Sequence, residues 1–390
     1  MTMIKSTDSI VMLNRLRCFT ILMTLLTANI DGLAQLKPRV KGLPPYRLPD
    51  KPIDQERVSR LKSMLYREEM LSENDTAYLK RAIEARMSPE ELAKWQQNEF
   101  YGKTPLTEIA AKGKGYGVDG GLYWDGQNVP PDSHIADANQ ILGLIQPLNA
   151  AGVPDNAGKV GFLSVGMLNA SLAFSRFKEL VDADPDKSAA VTIVDGAQPG
   201  RPTDSWQDSS PRAWKVVDER LGDAGLTKLQ VQAIWFQPTT RQHHGRTNAD
   251  LVLLLRTTQS FQKVFPNLRV IYFSSPAYSG FSVGTNDLEP AAYDMAFHLR
   301  VFITNQVKGL VRVTRLRNAR NGPDGLPLLL WGPYLWADGN KPRVSDGLQY
   351  LREDFISDGL HLSESGTMKV AKHLLEFFKS DPLAKSWFTK

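Results

Sequence analysis

The sequence predicts an α/β protein: a three-layer α/β/α sandwich on a mainly parallel, five-stranded sheet, preceded by a helical N-terminal extension. Three observations predict it. Five short apolar runs recur between residues 159 and 330, nearly continuous rather than alternating, as in strands buried on both faces. Helical patterns separate the runs, which is how parallel strands are connected. No internal repeat or low-complexity tract breaks the alternation, and 390 residues suffice for one large core.

In chain order, the first element is a leader. Lys5, Arg15 and Arg17 precede an apolar run from Cys18 to Ile30, and Gly32-Leu33-Ala34 places small residues at the −3 and −1 positions of a cleavage site. This is the pattern of a secretory signal peptide over residues 1–34, cut after Ala34. The run falls short of the ~20 residues a bilayer span needs, and Thr20, Thr24, Thr27 and Asn29 dilute it. A secreted or periplasmic protein is expected, with no membrane attachment once the leader is gone. Cys18 is the one cysteine, so the mature chain holds neither a disulfide nor a cysteine-ligated metal. The net charge of +5 becomes +4 after removal of the leader's three bases and two acids. Lys and Arg are scattered, with no basic block interleaved with aromatics, so nucleic acid is not an expected partner.

Residues 35–112 read as an extended, proline-rich stretch followed by helices. Val58, Leu61, Leu65 and Met70 form one apolar set, Tyr78, Leu79 and Ile83 another, and Ser88-Pro89-Glu90-Glu91 opens a third helix with a capping box. The sandwich domain is expected over residues 113–390. It begins with a glycine- and aromatic-rich stretch to Gly126, which reads as a loop packed over a domain edge or, alternatively, lining a cleft. Strands are expected at Lys159–Val165, Ala190–Val194, Leu229–Phe236, Leu268–Phe273 and Leu326–Leu330. Helices follow through Phe174, Phe177 and Leu180, then at Trp214–Leu221, Ala249–Phe261, Pro290–Val307 and Glu364–Lys379. The last has Ser363 as N-cap and a core-facing stripe of Met368, Ala371, Leu374, Leu375 and Phe378.

Ligands of open parallel sheets sit beyond the carboxyl ends of the strands, so the segments leaving each strand hold the candidate residues. After the first, Gly166-Met167-Leu168-Asn169 turns directly into a helix, whose opening N–H groups can receive a negative oxygen. After the second, Asp195-Gly196-Ala197-Gln198-Pro199-Gly200 offers close backbone approach and a backbone donor. After the third, Gln237 offers an amide donor. Near the C-terminus, Asp358-Gly359-Leu360-His361 places an acid three residues before an imidazole on one tight loop. That spacing lets the carboxylate hold Nδ1–H while Nε2 serves as a base. An acid there could merely cap the following helix, but Ser363 is the better N-cap and leaves Asp358 outside it.

Taken in order, these blocks resemble the SGNH/GDSL hydrolase family over roughly residues 159–378. The match is most specific from Ser357 to Gly366, and Lys159–Met167 is similar to the family's first block. Glu289-Pro290 and Trp331-Gly332-Pro333-Tyr334-Leu335-Trp336 resemble a secreted bacterial branch. The resemblance implies an SGNH-hydrolase/flavodoxin-like fold and ester hydrolysis, on an acyl or acetyl group of a carbohydrate, with a small-molecule or glycan ester as ligand and no cofactor or metal. It makes His361 the base, Asp358 its orienter, and Gly166, Gly200 and Gln237 the oxyanion and substrate-binding set. The third block lacks the family's Gly-x-Asn-Asp; Gln237 stands in, with Thr239 as an alternative. The position of the nucleophilic serine is held by Leu168, which has neither a proton to lose nor a lone pair to attack with. Ser171, one helical turn on, is the substitute nucleophile to test, and a water activated by the acid–imidazole pair is another route. The alternative is a catalytically silent acyl-glycan-binding pseudo-hydrolase.

The remaining histidines read differently. His243-His244 suits a polar surface loop, His298 helix packing, His373 the polar side of the last helix, and His134 a loop with turn and cap chemistry. Trp331, Tyr334 and Trp336 suit either a ligand platform or the core.

Overall fold

The structure is a computed structural model. It describes residues 104–109, 120–207, 211–239, 248–282, 289, 291–311 and 325–390, with isolated positions between 53 and 82. The leader, the proline-rich stretch, the capping box at 88–91, residues 113–119 and His243-His244 lie outside the described residues. Those described all fall in one compact unit, Ile53–Lys390. Within the helical extension, Val58, Leu61 and Ala82 are helical and buried, and Arg57 donates to Asp75 at 2.8 Å.

In chain order the elements are α1 (Asp132–Leu142), β1 (Val160–Gly166), α2 (Leu168–Asp182), β2 (Val191–Asp195), α3 (Pro211–Asp223), β3 (Val231–Gln237), α4 (Asn248–Val264), β4 (Val270–Phe273), α5 (Ala291–Val307), β5 (Leu328–Trp331), α6 (Glu364–Ser380) and α7 (Pro382–Phe388). The five strands form one sheet in the order β2-β1-β3-β4-β5, and every neighbouring pair is parallel. Alternate strand residues point to opposite faces, so each apolar run feeds two cores. Phe162, Ile193, Trp235 and Tyr272 pack with α1, α2, α6 and α7, whereas Leu163, Val194, Ile234 and Ile271 pack with α3, α4 and α5. Phe162 anchors the first layer, its ring 4.8 Å from Phe378 and 5.3 Å from Trp387. The predicted sandwich is thus the observed one.

Two elements depart from the sequence reading. The segment around His134, expected as a turn, is the helix α1, and His134 is buried. Its Nε2–H donates to the Leu329 carbonyl at 3.0 Å, serving the edge strand β5, whose Leu329 N–H is met by Gln306 Oε1 at 2.7 Å. The second is α7, which was not expected. Asp381 caps it by accepting from the Leu383 and Ala384 N–H groups, and Pro382 sits at its first position.

β1 lies between β2 and β3, so the chain leaves β1 to one side and comes back on the other. The crevice at such a switch point opens beyond the carboxyl ends of β1 and β3.

Candidate active site

The site starts from the turn that leaves β1. Gly166 closes the strand with φ at 155°, and a Cβ there would fall 2.6 Å from Ala170 Cβ and 3.0 Å from the Gln237 carbonyl oxygen. Only glycine lets β1 run this close to β3 and begin α2 at once. Met167 is the N-cap and supplies no side-chain cap, so the first N–H groups of α2, beginning with Leu168, stand at the rim of the crevice.

The late loop folds back to meet this turn. Gly359 has φ at 71°, and a Cβ on it would lie 1.8 Å from the Phe281 carbonyl oxygen. Asp358 Oδ1 accepts the N–H groups of Leu360 and His361, each at 2.9 Å, while Oδ2 accepts Nδ1–H of His361 at 2.5 Å. Burial works to raise the Asp358 pKa, but the ring and the two N–H donors outweigh it and hold the carboxyl below its ordinary value. Asp358 is therefore a standing anion behind the imidazole. With Nδ1 engaged, Nε2 is the nitrogen that can act as base. Arg352 braces the preceding chain by donating to the carbonyls of Phe355, Ile356 and Ser357 at 3.1, 2.8 and 2.8 Å. Ser363 caps α6 by accepting from Gly366 N–H, as read from the sequence.

Leu168, Gln237 and His361 line one cleft of about 80 Å³, together with Met167, Asn169, Thr239, Leu360 and a wall formed by Pro276–Ser279, Ala291, Ala292 and Met295. Most of that lining is apolar. Gln237 Nε2 donates to the Ser275 carbonyl at 3.2 Å, which commits one of its two protons. Thr239 contributes a hydroxyl that is buried with no hydrogen-bond partner among the described residues. Gly166, expected in the oxyanion set, does not line the cleft; it packs against Ala170 and Gln237 at the turn that presents Met167 and Leu168 there. Gly200 is not part of the lining: it is exposed, with φ at 68°, in the loop after β2.

Ser171 does not face this cleft. Its hydroxyl donates to Asp195 Oδ2 at 2.5 Å, joined there by Ser175 at 3.1 Å, while Ser164 donates to Oδ1 at 2.5 Å. Burial raises the Asp195 pKa despite these donors and nearby Arg220. The expectation of Ser171 as substitute nucleophile is corrected accordingly: a hydroxyl given to the half-buried Asp195 carboxylate ties α2 to β1 and β2.

The aromatic trio, Trp331 closing β5 and Tyr334 and Trp336 just beyond it, belongs to the core. Trp331, Tyr334 and Trp336 are buried, with Trp331 Nε1 donating to the Leu122 carbonyl at 2.9 Å and Trp336 Nε1 to Glu289 Oε1 at 2.7 Å. His298 is a packing residue, buried between α5 and α4 with Nδ1 3.4 Å from Asp250 Oδ2. The described part of the glycine-aromatic stretch packs by this edge of the sheet and borders a separate recess with Pro130, Pro131 and Lys308.

Sequence reasoning missed Asn169. Its Nδ2 donates to the Leu360 carbonyl at 3.0 Å and its Oδ1 accepts the Leu362 N–H at 2.9 Å. The available signal was a poor helix former placed inside the first turn of a helix. Among the described residues, no cluster of three His, Cys, Asp or Glu side chains could hold a metal ion, and no helix is long and apolar enough to cross a membrane.

Neither a family model nor a curated protein matches the chain. Among solved structures, the chain is similar to an SGNH hydrolase-type protein from Slackia heliotrinireducens, at 15% identity over 57% of this chain and 100% of that one, with a TM-score of 0.32. It is similar to the Clostridium thermocellum family 3 carbohydrate esterase at 13% identity, over 58% and 98% of the two chains, with a TM-score of 0.33. A third is the periplasmic domain of a lipopolysaccharide acetyltransferase from Salmonella ser. Paratyphi A, at 14% identity over 63% and 96%, with a TM-score of 0.30. At such identities and scores these likenesses add nothing to the site, and the functional reading stands on the cleft.

Proposed function

We propose that the protein is an SGNH-type ester-processing protein, exported by its leader, whose cleft takes a short-acyl ester on a carbohydrate and hydrolyses it through water rather than through an acyl-enzyme. One observation carries the reading: His361, held by Asp358, and Leu168, at the turn into α2, border the same cleft. In this scheme His361 Nε2 takes a proton from water as its oxygen bonds to the acyl carbon. The opening N–H groups of α2 receive the carbonyl oxygen as it becomes negative. The imidazolium, held by ionised Asp358, then returns the proton to the departing alkoxide, giving a carboxylic acid and an alcohol. The Ser171 hydroxyl is spent on Asp195, so no step passes through it. A cavity of about 80 Å³ suits an acetyl-sized group.

A second reading, a silent acyl-glycan-binding protein, is favoured by the apolar lining and by the leucine itself. Hydrolysis of acetylated sugars and aryl acetates by purified protein separates the two. The water route is expected to give a slow rate that His361→Ala abolishes. A rate that survives the substitution refutes it, and binding of acetylated oligosaccharides with no turnover establishes the silent reading.

A further inference from the structure

We infer that Asn169 is the positioning residue for His361, joining the turn after β1 to the catalytic loop. The inference rests on His361 being the base.

The backbone around His361 is fixed on both edges. On one edge, its own N–H donates to Asp358 Oδ1 at 2.9 Å and its own carbonyl accepts the Ile356 N–H at 2.9 Å. In an extended segment the preceding carbonyl and the following N–H point the other way. That edge faces α2, and there the Asn169 carboxamide meets both groups, Leu360 O at 3.0 Å and Leu362 N–H at 2.9 Å. Asn169 thus acts as a one-residue strand partner to the loop. Ordering the imidazole edge from one side only would leave it free to rotate about the Asp358 contact.

The chemistry asks for asparagine. The position needs one acceptor and one donor in a single plane at short reach, which a carboxamide supplies. Aspartate lacks the donor and alanine lacks both. Because Asn169 follows Leu168 directly, the residue that fixes the base also belongs to the turn that fixes the oxyanion donors. Asn169 thus ties the two halves of the site together directly, beside the α2–α6 packing and the Arg176–Glu364 ion pair at 3.1 Å.

The experiment uses the full chain. The proton shared by His361 Nδ1 and Asp358 is followed by NMR in the parent, Asn169→Ala and Asn169→Asp, at a temperature where circular dichroism shows each folded. The far-downfield signal is expected to persist in the parent, to broaden by exchange with water in Asn169→Asp, and to vanish in Asn169→Ala. A merely structural role lowers the unfolding temperature and leaves the signal intact, which overturns the inference. If Asn169→Ala does not fold, Asn169→Asp decides. The second readout is esterase kinetics in a Leu168→Ser background. There Asn169→Ala is expected to lower kcat by about 10- to 100-fold with KM nearly unchanged, as for a base displaced by an ångström. An unchanged kcat overturns the inference. If Leu168→Ser itself shows no activity, the hydrolase reading fails and the NMR result still decides the role of Asn169.

Discussion

Leu168 and Ser171 sit three residues apart at the start of α2, and neither presents a nucleophile to the cleft. Leucine has no reactive atom, and the serine hydroxyl is one of three that converge on the half-buried Asp195 carboxylate. Ser171→Ala is expected to leave any ester hydrolysis unchanged while lowering stability by roughly 1.5–3 kcal/mol, the range for a hydrogen bond to a charged group. Initial rates and urea unfolding check both halves, and a rate that falls with the hydroxyl would restore Ser171 as nucleophile. Asp358, Gly359 and His361 were legible because their chemistry lies within four consecutive residues. The partners of Asn169 lie 191 and 193 residues away, so no local pattern could announce them. Asp195 reads in the sequence only as the start of a glycine turn; its serine donors come from β1 and α2, which the fold alone brings to it.

Among the elements, the Ile356–Leu362 loop depends on a single backbone choice. Gly359→Ala adds a methyl that would meet the Phe281 carbonyl at 1.8 Å, and it forces a side chain into left-handed backbone. Together these are expected to cost roughly 2–4 kcal/mol, from left-handed strain plus overpacking. Loss of the downfield His361 proton along with stability would locate the damage in the loop; unchanged stability would show that the loop relaxes freely. The strands were legible to within about two residues, since apolar runs begin where packing begins and strands where pairing begins. Leu268, for example, is buried in the core ahead of β4, which starts at Val270. The helix α1 was missed because Pro130-Pro131-Asp132-Ser133 carries turn chemistry, although Ala138, Ile141 and Leu142 on one side of it reach the core.

For the whole molecule, Glu289 couples the cleft wall to the core. It accepts N–H groups from Ser279 at 3.0 Å and Tyr293 at 3.3 Å, and the Trp336 indole at 2.7 Å. Burial pushes its pKa up from 4.5 to about 7, against the pull of these donors. A carboxyl that holds its proton more tightly folded than unfolded contributes stability fully present below pH 4.5 and lost as the pH rises through about 7. Glu289→Gln removes that dependence. Relative to the parent, the variant is expected to gain about 3 kcal/mol between acid and neutral pH, because a tenfold change in proton affinity is worth about 1.4 kcal/mol. Urea unfolding at both ends of the window measures this, and parallel profiles for the two proteins would contradict it. The two-sided parallel sheet was legible because continuous apolar strands have few other homes. The strand order and the division of the helices between faces were not, since they rest on contacts between distant segments.

The central claim is that the turn after β1 and the Asp358–His361 loop form an ester-hydrolysing site in which Leu168 stands at the nucleophile's position. Leu168→Ser tests it most directly, assayed on short-chain aryl esters and acetylated sugars with a serine-directed phosphonate as probe. The account expects kcat/KM to rise by at least about 100-fold over the parent, since covalent attack replaces activated water. That gain should disappear with phosphonate or with His361→Ala. A folded Leu168→Ser protein with no gain, and no phosphonate labelling, would contradict the account.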